Sequence, residues 1–197
     1  VIKSFYQSLE SLNKKAVDGL LIHDINEVSS KEFNDLFKKL NELKQQGLVN
    51  KIGFSIYTPG QVDFLLENFD FDMVQLPFNV FDNRLIHGGQ LKSLKNKGVE
   101  IHARSVFLQG VLLDFDNLSN YFLTWKDQFN AYQVIVNDSK LTLLEYALNF
   151  VLNVEEIDKV LVGVNSKVQL EEIVQSVRSQ SNINAHPVND VNLLNPS

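Results

Sequence analysis

Short apolar runs alternate along this chain with longer amphipathic stretches, and that alternation limits the fold more than any other feature. The runs VDGLLI (17–22), KIGFSI (51–56), DMVQL (72–76), VEIHA (99–103) and KVLVGV (159–164) read as strands. Between them apolar residues recur at helical spacing. Ile2, Phe5, Leu9 and Leu12 do so in 1–14, then Phe33, Leu36, Phe37, Leu40 and Leu43 in 30–47, with Gly47 as the stop. Pro59 opens a helix over 61–68, Gly98 ends one over 91–98, and further helices are predicted over 140–152 and 167–179. Apolar runs without period-2 alternation indicate a parallel sheet covered on both faces, the α/β class.

Two architectures satisfy this pattern, a closed eight-stranded barrel and an open doubly wound sheet. No G-x-G-x-x-G follows any of the runs, which disfavours the dinucleotide-binding open sheet. No Pro/Ser/Gly-rich linker divides the chain, so 1–197 is expected to form one domain, with an irregular Asn-rich tail over 180–197.

Composition narrows the function. The 197 residues include 18 Lys+Arg, 24 Asp+Glu and no cysteine, giving a formal charge of −6. Without cysteine there is no disulfide scaffold, no zinc finger and no thiol nucleophile, and a reducing, cytoplasmic setting is expected. The acidic balance argues against a nucleic-acid partner. The five lysines between Lys31 and Lys51 fall at helical spacing and read as a solvated face. No stretch approaches the roughly 18 apolar residues of a membrane span, and the first twenty residues carry no apolar h-region of a signal peptide.

In a parallel barrel the functional groups stand at the carboxyl ends of the strands. His23 and Asp24 follow the first run, Ser55 and Gln75 lie near the ends of the second and third, Arg104 and Ser105 follow the fourth, and Gly163 and Asn165 follow KVLV. One polar residue at one strand end carries little information, whereas a set across five strands reads as a lined cavity. Each has a structural reading as well. His23 can be a hydrogen-bonded structural histidine, Ser55 and Gln75 can satisfy strand-end backbone groups, and Arg104 can pair with a carboxylate. Asn165-Ser166 before a helix is foremost an N-cap signal. The same helix N-terminus can hold a phosphate, with Lys167 adding charge.

Taken in order, LESLNKKAVDGLLIH (9–23), LKQQGLVNKIGFSIYT (43–58), FDMVQLPFNVFDNRL (71–85), GVEIHARSVFLQGVLL (98–113) and KVLVGVNSKVQLEEIV (159–174) resemble the aldo/keto reductase family over nearly the whole chain. The resemblance implies a (β/α)8 TIM barrel, incomplete, with about five of the eight strand–helix units present from the fourth strand onward. It implies an NAD(P)H-dependent oxidoreductase that reduces aldehyde or ketone groups of a small-molecule substrate. His23 then corresponds to the tetrad histidine that orients or polarises the carbonyl oxygen. Ser55 and Gln75 match positions that hydrogen-bond the nicotinamide carboxamide, with Ile56 standing where an Asn often follows the serine. Arg104 occupies the place of a tyrosine that stacks on the nicotinamide ring, a contact a planar guanidinium can also make. Ser105 and VFLQG match the loop along the cofactor pyrophosphate. Gly163, Asn165, Gln169 and Glu172 match the segment holding the adenosine end. Gln169 stands where an arginine for the 2′-phosphate is frequent, so NADP(H) and NAD(H) both stay open, with Lys167 able to supply the charge.

The family's Asp, Tyr and Lys, which complete the tetrad, belong to the first three strands. Tyr6 matches the helix before the fourth strand and Asp18 lies at the wrong end of its strand, so neither replaces them. With Val1 in place of a Met, the chain is expected to be part of a longer protein, and these 197 residues alone are expected to be inactive. A non-catalytic, nucleotide-binding or regulatory member of the family is the alternative, distinguished by whether the tyrosine is present upstream.

Overall fold

The structure, a computed structural model, describes residues 1–25, 30–177, 183–188 and 190–194. Within the expected irregular tail, 180–182, 189 and 195–197 lie outside the described residues. The chain forms two compact units, Val1–Leu76 with Ser93–Ile101, and Pro77–Lys92 with His102–Ser197.

The elements run α1 (Ile2–Leu12), β1 (Val17–Ile22), α2 (Lys31–Gln45), β2 (Val49–Ser55), α3 (Pro59–Asn68), β3 (Met73–Pro77), α4 (Arg84–His87), α5 (Gln90–Asn96) and β4 (Glu100–Arg104). After 3-10 segments at Leu108–Leu113 and Phe122–Trp125 come α6 (Lys126–Ser139), α7 (Leu143–Leu152), β5 (Lys159–Val160), α8 (Lys167–Ser176) and α9 (Val191–Leu194). The strands are parallel and follow one another in chain order.

In the first unit one face of the sheet carries the core. Ile52 and Phe54 of β2 and the following Ile56 are fully buried. The rings of Phe33 and Phe37 on α2 stack on Phe54 at 6.2 and 5.8 Å, and Phe71 meets it edge-on at 5.2 Å. Burying each such side chain contributes about 1.5–3 kcal/mol. Gly53 lets β2 approach β3, because a Cβ there would lie 1.9 Å from the Met73 carbonyl oxygen. Polar ties gather at the amino ends. Asp72 accepts from Lys44 Nζ at 2.5 Å and from the Ile52 N–H at 2.8 Å, and Lys51 Nζ donates to Asp18 at 3.3 Å and Glu100 at 2.7 Å. Asp18 therefore stands at the amino end of β1. The sheet is not covered on both faces throughout: β1 is an outer strand, and of its residues only Ile22 is buried.

In the second unit Phe81 stacks on Phe129 at 5.9 Å and meets Tyr132 edge-on at 5.2 Å, while Phe78 stacks on Phe150 at 5.8 Å. The strand expected over 159–164 is regular only at Lys159–Val160, paired with His102 and Ala103. Leu161 N–H still donates to Ala103 O at 2.8 Å, and the backbone then leaves the ladder to line a groove. Residues 114–139 contain the second 3-10 segment and α6. Trp125 there is buried, with its indole N–H donating to Asp190 Oδ2 at 2.8 Å, and Tyr121 Oη donates to Asn192 O at 2.7 Å. These bonds hold the short helix α9 of the tail. Among the described residues no helix is long and apolar enough to cross a membrane.

Candidate active site

Strand register builds the first half of the site. Ile22 pairs with Phe54 and Phe54 with Val74, and one residue further on Ser55 pairs with Gln75. His23 follows Ile22 directly, which places it level with Ser55. His23, Ser55 and Gln75 thus form one row at the carboxyl ends of β1, β2 and β3. Side chains alternate across a strand, so the burial of Phe54 and Ile56 on the helix-covered face puts Ser55 on the opposite one.

Ser55 is only 2% exposed, yet its Oγ has no hydrogen-bond partner among the described residues. An unsatisfied buried hydroxyl costs about 1–3 kcal/mol, so its retention calls for an explanation beyond packing. His23 is exposed, and its ring meets Tyr57 edge-on with centroids 6.4 Å apart and planes at 76°. Ile56 is buried, and its N–H donates to Gln75 O at 2.9 Å, fixing the two strand ends together. A capping box closes the loop at once. Thr58 Oγ1 accepts from Gln61 N at 3.3 Å, and Gln61 Oε1 accepts from Tyr57 N at 2.7 Å and Thr58 N at 3.1 Å.

The second unit holds a groove of about 440 Å³, within the range of small-molecule sites. One wall is the turn after β4, where Ser105, Leu108, Gln109 and Gly110 take φ values of 56°, 46°, 57° and 92°. Each non-glycine residue in that left-handed region costs about 1–2 kcal/mol. The opposite wall is the segment after β5 together with the start of α8. Ser166 Oγ caps α8 by accepting from Gln169 N at 3.2 Å, and Gln169 Oε1 accepts from Asn165 N at 2.8 Å. The N-cap read from the sequence is therefore Ser166, with Gln169 reaching back. The helix N-terminus gives this wall a partial positive charge. Glu172 is the one charged side chain among the described residues of the lining.

The structure therefore gathers Ser105, Gly163, Asn165, Gln169 and Glu172 around one groove and His23, Ser55 and Gln75 in one row. Two predicted residues belong neither to the groove lining nor to the row. Arg104 Nη1 donates to Ser105 Oγ at 3.3 Å, and Lys167 forms an exposed pair with Glu171 at 3.3 Å. Sequence reasoning passed over Tyr57 beside His23, and over Asn79, whose Nδ2 donates to Ser105 O at 3.0 Å. Asn79 had one readable signal, an amide set among apolar residues just past a strand end.

Parallel strands in chain order, interleaved helices and a polar row at the carboxyl ends are the arrangement of a (β/α) barrel sheet. The chain belongs to the aldo/keto reductase family, whose model matches residues 1–191. It is 30% identical over 193 residues to the L-galactose dehydrogenase of Arabidopsis thaliana, a match covering 90% of this chain and 57% of that protein. Its fold resembles an aldo-keto reductase from Bacillus halodurans with a TM-score of 0.75 at 21% identity, over 90% of this chain and 61% of the other. For the glycerol dehydrogenase of Gluconobacter oxydans the TM-score is 0.62 at 15% identity, over 88% and 62% of the two chains. The chain spans about three-fifths of the length of these relatives, and its five strands form part of a (β/α)8 barrel.

Proposed function

We propose that this chain serves an oxidoreductase that reduces aldehyde or ketone groups of small molecules with NADPH or NADH, in a cytoplasmic setting. The observation that carries the proposal is the row of His23, Ser55 and Gln75, with the Ser55 hydroxyl buried and unpaired. A primary carboxamide fits that row, because it both donates and accepts and would satisfy the Ser55 hydroxyl, which has no partner among the described residues. The groove at the α8 N-terminus combines apolar walls such as Val106, Leu144 and Ile173 with the amides of Asn165 and Gln169, a lining that suits an adenosine, while the helix N-terminus suits its phosphates.

The bound nicotinamide supplies the hydride. Ser55 and Gln75 would hold its carboxamide. His23 orients the substrate carbonyl by hydrogen bonding to its oxygen, and the Tyr57 ring against it restricts the tilt of the imidazole. By the family resemblance Arg104 would stack its planar guanidinium on the nicotinamide ring. Ser105 and the turn that follows line the pyrophosphate. Gly163, Asn165, Gln169 and Glu172 hold the adenosine end, with Lys167 as the nearby cation. Proton donation is assigned to none of these residues.

The test is oxidation of NADPH and NADH by the full-length protein across a panel of aldehydes and ketones. Carbonyl-dependent loss of reduced nicotinamide absorbance, abolished in His23→Ala, is expected. Turnover unaffected by His23→Ala would contradict the assignment.

A further inference from the structure

The loop that leaves β3, PFNVFDNR, buries three polar side chains, Asn79 at 1%, Asp82 at 4% and Asn83 at 1% exposure. Buried polar groups require partners, and those of Asn79 are specific. Its Oδ1 accepts from both Phe81 N and Asp82 N at 2.9 Å, closing a tight turn around the carboxamide. Its backbone N–H donates to Asp82 O at 3.2 Å. Asp82 is itself fixed, since Arg84 donates to its two oxygens at 2.8 and 2.9 Å. A bidentate guanidinium–carboxylate pair sets orientation as well as distance. The amide of Asn79 is thus immobilised, with Nδ2 directed at a single acceptor, Ser105 O at 3.0 Å.

Ser105 is the residue that needs such support. It follows β4 immediately, its φ of 56° is unfavourable for a residue with a Cβ, and it begins the left-handed wall of the groove. Its carbonyl also accepts from Leu108 N within the turn at 2.9 Å, and the Asn79 amide anchors that same oxygen to the loop after β3, so the two bonds fix the peptide plane between Ser105 and Val106 and the direction in which the wall departs. Phe78 N–H donating to Arg104 O at 3.0 Å ties the same two loops one residue earlier. We infer that Asn79 is a positioning residue for the cofactor groove. It acts through the Ser105 carbonyl, holding the left-handed turn in the shape that receives the ligand. The inference rests on the nicotinamide-cofactor reading for its effect on binding, and on geometry alone for its effect on the turn.

Asn79→Asp separates the two jobs of the side chain. The carboxylate still accepts from Phe81 N and Asp82 N but cannot donate to Ser105 O. At a pH where it is ionised, the full-length protein should bind NADPH or NADH about tenfold more weakly, the loss of one buried hydrogen bond. Turnover at saturating cofactor should stay within about twofold, because the site that touches the substrate is unchanged. Ser105→Gly removes the strain that Asn79 offsets, so the two substitutions together should weaken binding less than the product of their separate effects. Independent effects, or unaltered affinity in Asn79→Asp, would overturn the inference. Amide hydrogen exchange across 105–110 reads the turn without cofactor and should quicken in Asn79→Asp. If the wild type binds neither nucleotide, the functional reading fails while exchange still decides the positioning role, and unchanged exchange would refute it. Should Asn79→Asp not fold, Asn79→Ser serves instead, since its hydroxyl can take the turn N–H groups but cannot reach Ser105.

Discussion

The side-chain oxygen of Gln169 accepts the backbone N–H of Asn165 at 2.8 Å, locking the segment after β5 onto the first turn of α8. Gln61 does the same after β2, accepting from Tyr57 N and Thr58 N. In both places a residue at the third helical position reaches back to the loop that carries site residues. The loops are held by helix capping, a local device worth about 1 kcal/mol each, and at α8 the residues that make the cap, Asn165 and Gln169, also line the groove.

This relationship yields a prediction about cofactor choice. Gln169 is neutral, its oxygen is engaged, and the charged lining residue is the acidic Glu172. Replacing Gln169 by Arg introduces a planar cation suited to a phosphate. The ratio of NADPH to NADH affinity should rise about tenfold or more, measured by paired calorimetric titrations, with a small fall in melting temperature from the lost cap.

Tyr132 is buried with its hydroxyl unpaired among the described residues, and burial raises its phenol above the ordinary range. The folded state therefore favours the neutral phenol. That preference is intact below the unfolded value of about 10 and is lost as pH rises above it. Tyr132→Phe removes an unsatisfied polar group without changing the ring packing. Denaturant unfolding should show it equal to wild type or more stable by up to about 1–2 kcal/mol at neutral pH, with a weaker loss of stability in alkali.

Asp190 is held below the usual carboxylate range first by the Trp125 indole N–H. A depressed folded value means that its contribution is present above the ordinary pKa of about 3.9 and is lost as pH falls through the lower folded value. Trp125 is the only tryptophan, so its fluorescence reports the contact directly. An emission change on acidification below that range is expected, and Asp190→Asn should suppress it while keeping an acceptor for the indole.

Much of the fold was legible because the signals are local. The buried residues Ile52, Phe54 and Ile56 recur at every second position of β2 and just beyond it, and Thr58-Pro59 and Ser166 mark helix starts by side-chain chemistry. The strand ends then follow, and with them His23, Ser55 and Gln75. What escaped depends on three dimensions. The apolar residues of 159–164 look like a longer strand, but only its first two residues keep regular pairing. Asn79 lies on an irregular loop where no periodicity operates, and its bond to Ser105 spans 26 residues.

The Ser55 hydroxyl, without a partner among the described residues, is proposed to receive a nicotinamide carboxamide. Calorimetric titration of the full-length protein and of Ser55→Ala with NADPH and NADH tests it most directly, alongside their melting temperatures. The account predicts saturable binding of at least one nucleotide by the wild type, weakened roughly five- to tenfold in Ser55→Ala, with stability unchanged or raised. Binding of neither nucleotide by the wild type, or full affinity in Ser55→Ala, would contradict it.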